Sequence, residues 1–330
     1  MKYKWFVGID VSKLTLDVRL FVMEQCEKSP HKQLTNEEKG FYSMISWLEK
    51  QGVDPKKVLF CMEHTGVYSL ELAVFFEQKN YSFSMVSPLH IKRSLGLVRG
   101  KNDKIDSYQI SRFCYLHRDE LELTRLPLKS IQKLKGLINE RERLVKMLKS
   151  EKNVLSELRN SNTSNTMERV VARMTMFSAD IKNIEQEIEQ IINSEPNIDG
   201  NYKLIRSVVG IGLVNSVMFL VYTCNFQAFS DARKYACYGG VAPFDNTSGT
   251  SIRGKTRVSH LANKRIKANL SNAARSAIQN DPELRLYYDR KAQEGKAHGV
   301  IMNAVKFKLI TRVFAVVNRG TPFVKMRQAG

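Results

Sequence analysis

Acidic residues are scarce in this chain of 330 residues: 33 Asp and Glu stand against 52 Lys and Arg, for a formal net charge of +19. So large an excess of cations implies a polyanionic partner. Cysteine is sparse too. Its five copies (Cys26, Cys61, Cys114, Cys224, Cys237) form no C-x-x-C pair and no zinc-ligand spacing. That pattern excludes a zinc module, and the thiols read as reduced, mostly buried residues of a cytosolic protein. No apolar run approaches the roughly 18 residues of a membrane span. Residues 1–10 lack the form of a signal peptide. There is no internal repeat and no low-complexity tract. The expectation is a cytoplasmic, nucleoid-associated protein whose partner is nucleic acid rather than a membrane.

What charge there is falls unevenly. Residues 200–330 carry 21 Lys and Arg but only 6 Asp and Glu, so the C-terminal part is the stronger polyanion-binding surface. The N-terminal part keeps enough acid to build a carboxylate site. Its pattern is α/β. Trp5 to Asp10 is a short apolar run, Val11-Ser12-Lys13 a tight connection, and Leu14, Leu16, Val18 and Leu20 alternate with polar residues, which predicts a hairpin. A helix is predicted over 36–51, a buried strand over 58–62, a helix over 68–79, a strand over 81–86, a polar loop over 99–103 and a helix over 104–116. From Pro127 the period changes. Ile131, Leu134, Ile138, Val145, Leu148, Leu155 and Leu158, then Phe177, Ile181, Ile184, Ile188 and Ile191, recur by threes and fours. They predict two long helices in an antiparallel coiled coil, a spacer or a dimer contact. Beyond Pro196 the chain reads as mostly helical. Residues 204–217 resemble a helix-hairpin-helix, whose Gly-Ile-Gly turn presents backbone N–H groups to a phosphate or serves helix packing. The expected domains are 1–125, 126–196 and 197–330.

Four carboxylates stand at element ends. Asp10 ends the first strand and Glu63 a later one, so a parallel or mixed sheet projects both near one edge. Asp103 and Asp106 sit at i and i+3 around a helix start and face the same way. Each alone suits a helix cap or a solvated end. Together they would repel one another unless a cation is bound, and Mg²⁺ takes oxygen ligands and shares them with substrate phosphate. Two such ions clamp the attacking and leaving oxygens of phosphoryl transfer.

Residues 239–257 are too rich in Gly, Ser and Thr for a helix and lack the alternation of a strand, which predicts an ordered loop. It holds hydroxyls at Thr247, Ser248, Thr250 and Ser251, with Gly249 leaving the neighbouring hydroxyl accessible. Arg253, Lys255 and Arg257 follow at every second residue, and Lys264, Arg265, Lys267 and Arg275 lie on the helix beyond. Hydroxyls among fixed cations are well placed to meet a phosphate. A solvated surface loop is the plain alternative.

Residues 6–13 (Phe-Val-Gly-Ile-Asp-Val-Ser-Lys), 62–66 (Met-Glu-His-Thr-Gly) and 101–106 (Lys-Asn-Asp-Lys-Ile-Asp) resemble motifs of the DEDD transposases of the Piv invertase and insertion-sequence-110 family. So do Gly210-Ile211-Gly212, Gly240-Val241-Ala242-Pro243 and Thr247-Ser248-Gly249 further on. The motifs are short, but they span nearly the whole chain in the family's order. Val241 stands where the family often has Leu, and Thr247 where it often has Ser. The resemblance implies a RuvC-like, RNase H fold at the N-terminus, a coiled-coil linker and a helical transposase domain. It implies a Mg²⁺-binding tetrad of Asp10, Glu63, Asp103 and Asp106, and a nucleophilic serine at Ser248. It further implies DNA substrates, a guide RNA encoded by the element itself, and action as a homo-oligomer, a dimer or tetramer. The competing expectations are a RuvC-like nuclease or Holliday-junction resolvase that uses water, and a basic nucleic-acid-binding protein without activity.

Overall fold

Side-chain alternation along the first strand decides how the N-terminal unit is layered. The structure is a computed structural model. It describes residues 3–25, 28–64, 66, 68–94, 102–158, 164–229, 231–248, 252–259 and 261–324, with the side chains of 164, 245–248 and 252–257 excepted. Its chain divides into two compact units, Met1–Leu126 and Pro127–Gly330.

In the first unit β1 (Trp5–Val11) pairs antiparallel with β2 (Thr15–Leu20), and β2 pairs antiparallel with β3 (His31–Thr35). Then come α1 (Glu38–Lys50), β4 (Val58–Glu63), α2 (Leu70–Gln78), β5 (Ser82–Val86), α3 (Pro88–Ser94) and α4 (Asp103–Leu116). β4 runs parallel to β1, and β5 parallel to β4, giving the order β3-β2-β1-β4-β5. Successive side chains on a strand point to opposite faces. Val7, Ile9, Val11, Phe60 and Met62 therefore pack with Phe41, Met44, Leu48, Leu72 and Phe76 of α1 and α2 on one face. Phe6, Leu59 and Cys61 pack with Ile91, Ile110, Phe113 and Cys114 of α3 and α4 on the other. Parity places Gly8, Asp10 and Glu63 on this second face, together with their register partners on β2, Asp17 and Arg19.

Two elements here go beyond what the sequence pattern shows. β3 is polar and half exposed, because it closes the sheet edge and has only one strand neighbour. α3 begins at Pro88, where a proline suits a first helical turn that needs no N–H. The polar loop expected over 99–103 lies mostly outside the described residues.

The second unit opens with α5 (Lys129–Leu158) and α6 (Ser164–Asn193). Ion pairs Arg141–Glu185 at 2.7 Å and Arg173–Glu151 at 2.8 Å show that they run antiparallel. Ile131, Leu134 and Ile138 of α5 and Phe177, Ile184 and Ile188 of α6 are buried in the same core as the helices that follow. Val145, expected on that stripe, is exposed, as are Met147, Val154, Val171 and Met176. Then follow α7 (Pro196–Arg206), α8 (Leu213–Tyr222), α9 (Ala232–Tyr238), β6 (Pro243–Ser248), β7 (Ile252–Val258), α10 (Lys264–Asn280), α11 (Pro282–Gln293) and α12 (His298–Arg319). Between α7 and α8, Gly210 has φ +89°, and a Cβ there would meet Ala277 Cβ at 2.6 Å and Ala273 O at 2.7 Å. This glycine thus lets the α7–α8 turn lie directly on α10.

Residues 239–257 are not the strand-free loop the sequence suggests. β6 and β7 form an antiparallel ribbon from the Pro243–Val258 pair to the Ser248–Ile252 pair, with an irregularity between Phe244 and Asn246. The ribbon makes a sheet of its own. Its strands, Pro-Phe-Asp-Asn-Thr-Ser and Ile-Arg-Gly-Lys-Thr-Arg-Val, do not alternate apolar with polar residues, so the period-2 signal that reveals core strands is missing.

Candidate active site

Three of the four acids expected at the site come together. Carboxylate oxygens of Asp10, Asp103 and Asp106 all lie within 4.8 Å of one another. Asp10 stands near the end of β1, and Ile9 pairs with Met62, so Glu63 is one residue further along the neighbouring strand on the same face. Glu63 lies outside the three-residue cluster, yet its charge acts on Asp10.

The helix that carries Asp103 and Asp106 is held against β1 by small residues. A Cβ on Gly8 would sit 2.2 Å from Ser111 N and 2.5 Å from Ser107 O. Only glycine lets the α4 backbone approach so closely, and the fully buried Ser107 and Ser111 keep the helix face thin. Asn102 caps α4 by accepting from Lys104 N at 2.9 Å, which fixes the first turn and with it both aspartates. The buried Arg19 donates to Lys104 O at 3.0 Å and to Ser29 O at 2.6 Å. That guanidinium joins the first turn of α4 to β2. Asp103 and Asp106 also stand in the first turn of α4, at the positive end of the helix dipole.

These aids do not cancel the repulsion. Asp10 is pushed up from 3.8 to about 6, by burial first and then by the charges of Asp106, Asp103, Glu63 and Asp17. A carboxyl raised by like charges is relieved by a bound divalent cation. Closely grouped oxygen donors suit a hard cation such as Mg²⁺. The residues present therefore fit such a metal, with Asp10, Asp103 and Asp106 as the ligands in position and Glu63 beside them. Asp17 lies on the same face but is engaged by β3: its carboxylate meets His31 Nε2 at 2.8 Å and accepts from Gln33 Nε2 at 3.1 Å.

In the second unit Ser248 ends β6, opposite Ile252, at the closed end of the ribbon. Arg253, Lys255 and Arg257 occupy every second position of β7. The side chains of Thr247, Ser248 and these three cations lie outside the described residues, as do Thr250 and Ser251 altogether. Lys264, Arg265 and Lys267 stand in the first turn of α10, which Asn263 caps by accepting from Arg265 N and Ile266 N. Cations there add to the positive end of a helix dipole and favour an anion. Their environments differ. Lys264 is exposed, Lys267 is half-buried, and Arg265 pairs with Glu142 and donates to Asn139 Oδ1 at 2.6 Å on α5.

Sequence reasoning missed Gly8, Arg19 and the Asp17–His31 pair. Arg19 left a trace, as the one cation in an alternating apolar strand. Gly8 left only its identity beside an aspartate.

Two family models match the chain. One is a transposase model for DEDD proteins of the IS110 type and covers residues 7–161. The other describes the transposase IS116/IS110/IS902 family and covers residues 202–289. The chain is 26% identical over 326 residues to the pilin gene-inverting proteins of Moraxella lacunata and Moraxella bovis, which covers 98% of each chain. It is 28% identical over 147 residues to a 43.6 kDa protein of insertion element IS110 from Streptomyces coelicolor, covering 44% of this chain and 35% of that one.

Proposed function

The chain belongs to the IS110-type DEDD transposases, a family of DNA-rearranging enzymes, and from that premise we propose how its residues act. It is a recombinase of a mobile element, and it cuts and rejoins DNA at the element's ends. The observation that carries this reading is the approach of Asp10, Asp103 and Asp106 to within 4.8 Å of one another, on a face that also receives the charge of Glu63.

Asp10, Glu63, Asp103 and Asp106 hold Mg²⁺, which supplies charge stabilisation to the pentacovalent transition state and to the leaving oxygen. Ser248 is the nucleophile. Its Oγ forms a bond to the scissile phosphorus and gives up its proton, while the bond from phosphorus to the departing sugar oxygen breaks and that oxygen takes up a proton. A phosphoserine linkage conserves the energy of the diester, so a second strand's hydroxyl can displace the serine and complete the exchange. Ser248 belongs to the second unit and the acids to the first. Arg253, Lys255, Arg257, Lys264, Arg265 and Lys267 contact the phosphate backbone, which positions strands without reading their sequence. Sequence choice then falls to a guide RNA of the element, and two duplexes are joined by a homo-oligomer through the α5–α6 coiled coil. The sheet order fits a RuvC-like, RNase H domain, and the cytoplasm with its nucleoid is the expected place of action. Gene inversion, named in the Moraxella relatives, is the same strand exchange between oppositely oriented sites.

The test is incubation of the full chain with element-end DNA and the flanking transcript, with and without Mg²⁺. Metal-dependent strand cleavage is expected. Cleavage that persists in Asp103→Asn and Asp106→Asn would remove the acids from the site.

A further inference from the structure

A cavity of about 830 Å³ lies in the second unit, at the root of the β6–β7 ribbon. Pro243 and Val258, the first pair of the ribbon, form part of its wall, and Phe307 of α12 adds an aromatic surface. Three cations line it, from three elements: Arg233 of α9, Lys267 of α10 and Lys306 of α12. No acid lines it among the described residues. Lys306 is the unusual member. It is only 7% exposed and has no ion pair among the described residues. Burial lowers its pKa, and the charges of Lys267 and Arg275 lower it further. A lysine is almost never buried without a partner, and a charge so placed is stabilised by an anion brought to it.

We propose that this cavity receives one unstacked nucleotide of a nucleic-acid strand, its phosphate held by Lys306, Lys267 and Arg233 and its base laid against Phe307 and Val258. The volume falls in the usual range for small-molecule sites, which are apolar with a few placed polar groups. An aromatic face beside fixed cations is the arrangement that binds single strands, because every base has a π-face to stack. A duplex cannot present a base there without unstacking it. The site rests on the reading of the chain as a nucleic-acid enzyme and names the form of strand it takes. Ser248 is five residues along β6 from Pro243, roughly 17 Å at the usual rise of a strand. The captured nucleotide therefore lies several positions from the phosphate that Ser248 attacks, and holds the strand in register.

The test is binding of the full chain in EDTA, where cleavage does not intervene, to fluorescein-labelled oligonucleotides of one sequence as single-stranded DNA, single-stranded RNA and duplex DNA. Lys306→Met removes a buried charge at similar length, so folding is retained. Ala304→Trp fills the cavity, which Ala304 also lines, without changing charge. Each variant is expected to lose about tenfold in single-strand affinity, the worth of one charge-assisted hydrogen bond, and to keep its duplex affinity. For Lys306→Met the slope of log affinity on log salt falls by about 0.7, one phosphate on a single strand, and Ala304→Trp, which keeps the nucleotide out, lowers it by at least as much. Whichever of DNA and RNA shows the loss is the strand that fills the cavity. Unchanged affinity for both strands in either variant overturns the proposal, and so does an equal loss on duplex. A wild-type chain that binds in this way but cuts no DNA with Mg²⁺ would refute the recombinase reading and leave the cavity's role standing.

Discussion

Asp10 makes the stability of the first unit depend on pH in a way that a divalent cation should erase. Its carboxyl titrates at about 6 in the folded chain, against 3.8 for an ordinary aspartate. Between those values the unfolded chain has released the proton and the folded chain has kept it. Folding therefore has its full stability below about pH 4 and loses some as pH rises through about 6, beyond which the loss is constant. A shift of about two units corresponds to about 3 kcal/mol in full. Asp10 is only half-buried, and screening by solvent reduces that to about 1–2 kcal/mol. In melting temperature this is about 3–8 °C for a unit of this size. The assay is thermal unfolding of the full chain in EDTA from about pH 4 to pH 8, repeated with Mg²⁺. Without metal the first transition should fall with rising pH, and Asp10→Asn should abolish the fall and melt higher than the wild type above pH 6. With Mg²⁺ the wild type should recover more than the variant does. A wild-type transition that stays flat through this window in EDTA, or an Asp10→Asn protein that follows the wild type, would refute the electrostatic reasoning.

Gly8→Ala should lower the first transition by about 3 kcal/mol or more and weaken its response to Mg²⁺, since the added Cβ meets α4 backbone at 2.2 Å; calorimetry with and without metal reads both effects. Asp103→Asn and Asp106→Asn should each abolish cleavage in a gel assay while melting in EDTA at or slightly above the wild-type temperature, because each removes one repelling charge. Replacing Lys264, Arg265 and Lys267 together by Ala should flatten the salt dependence of duplex binding by about 0.9 for each phosphate that is no longer neutralised. Arg265 should contribute least, because its guanidinium already faces Glu142 and Asn139.

The parts of the fold that bury an apolar face were legible in the sequence, because burial writes a period into the residues. The hairpin of β1 and β2, the parallel β4 and β5, and the long helices carry that period. β3 and the β6–β7 ribbon do not: one is a polar edge, and the other shows no alternation of apolar and polar residues. The grouping of Asp10, Asp103 and Asp106 was legible because Asp10 stands near the end of a buried strand and Asp103 and Asp106 share a helix face. What holds them was not. Gly8, Ser107 and Ser111 matter through the absence of bulk, and Arg19 reaches a carbonyl 85 residues away. The basic cavity was invisible for the same reason, since its cations at positions 233, 267 and 306 meet only after α9, α10 and α12 have packed. Among the described residues no helix is long and apolar enough to cross a membrane, which agrees with the absence of long apolar runs.

The most direct test is whether a covalent bond forms between the chain and DNA, and at which residue. The full chain is incubated with element-end DNA, flanking transcript and Mg²⁺, denatured, digested, and the nucleotide-bearing peptide identified by mass spectrometry. A phosphodiester on Ser248, absent from Ser248→Ala and from Asp106→Asn but retained in Thr247→Ala, Thr250→Ala and Ser251→Ala, is the predicted result. Cleavage by Ser248→Ala at the wild-type rate with no adduct at any residue would contradict it, and would make the chain a metal-dependent nuclease that uses water.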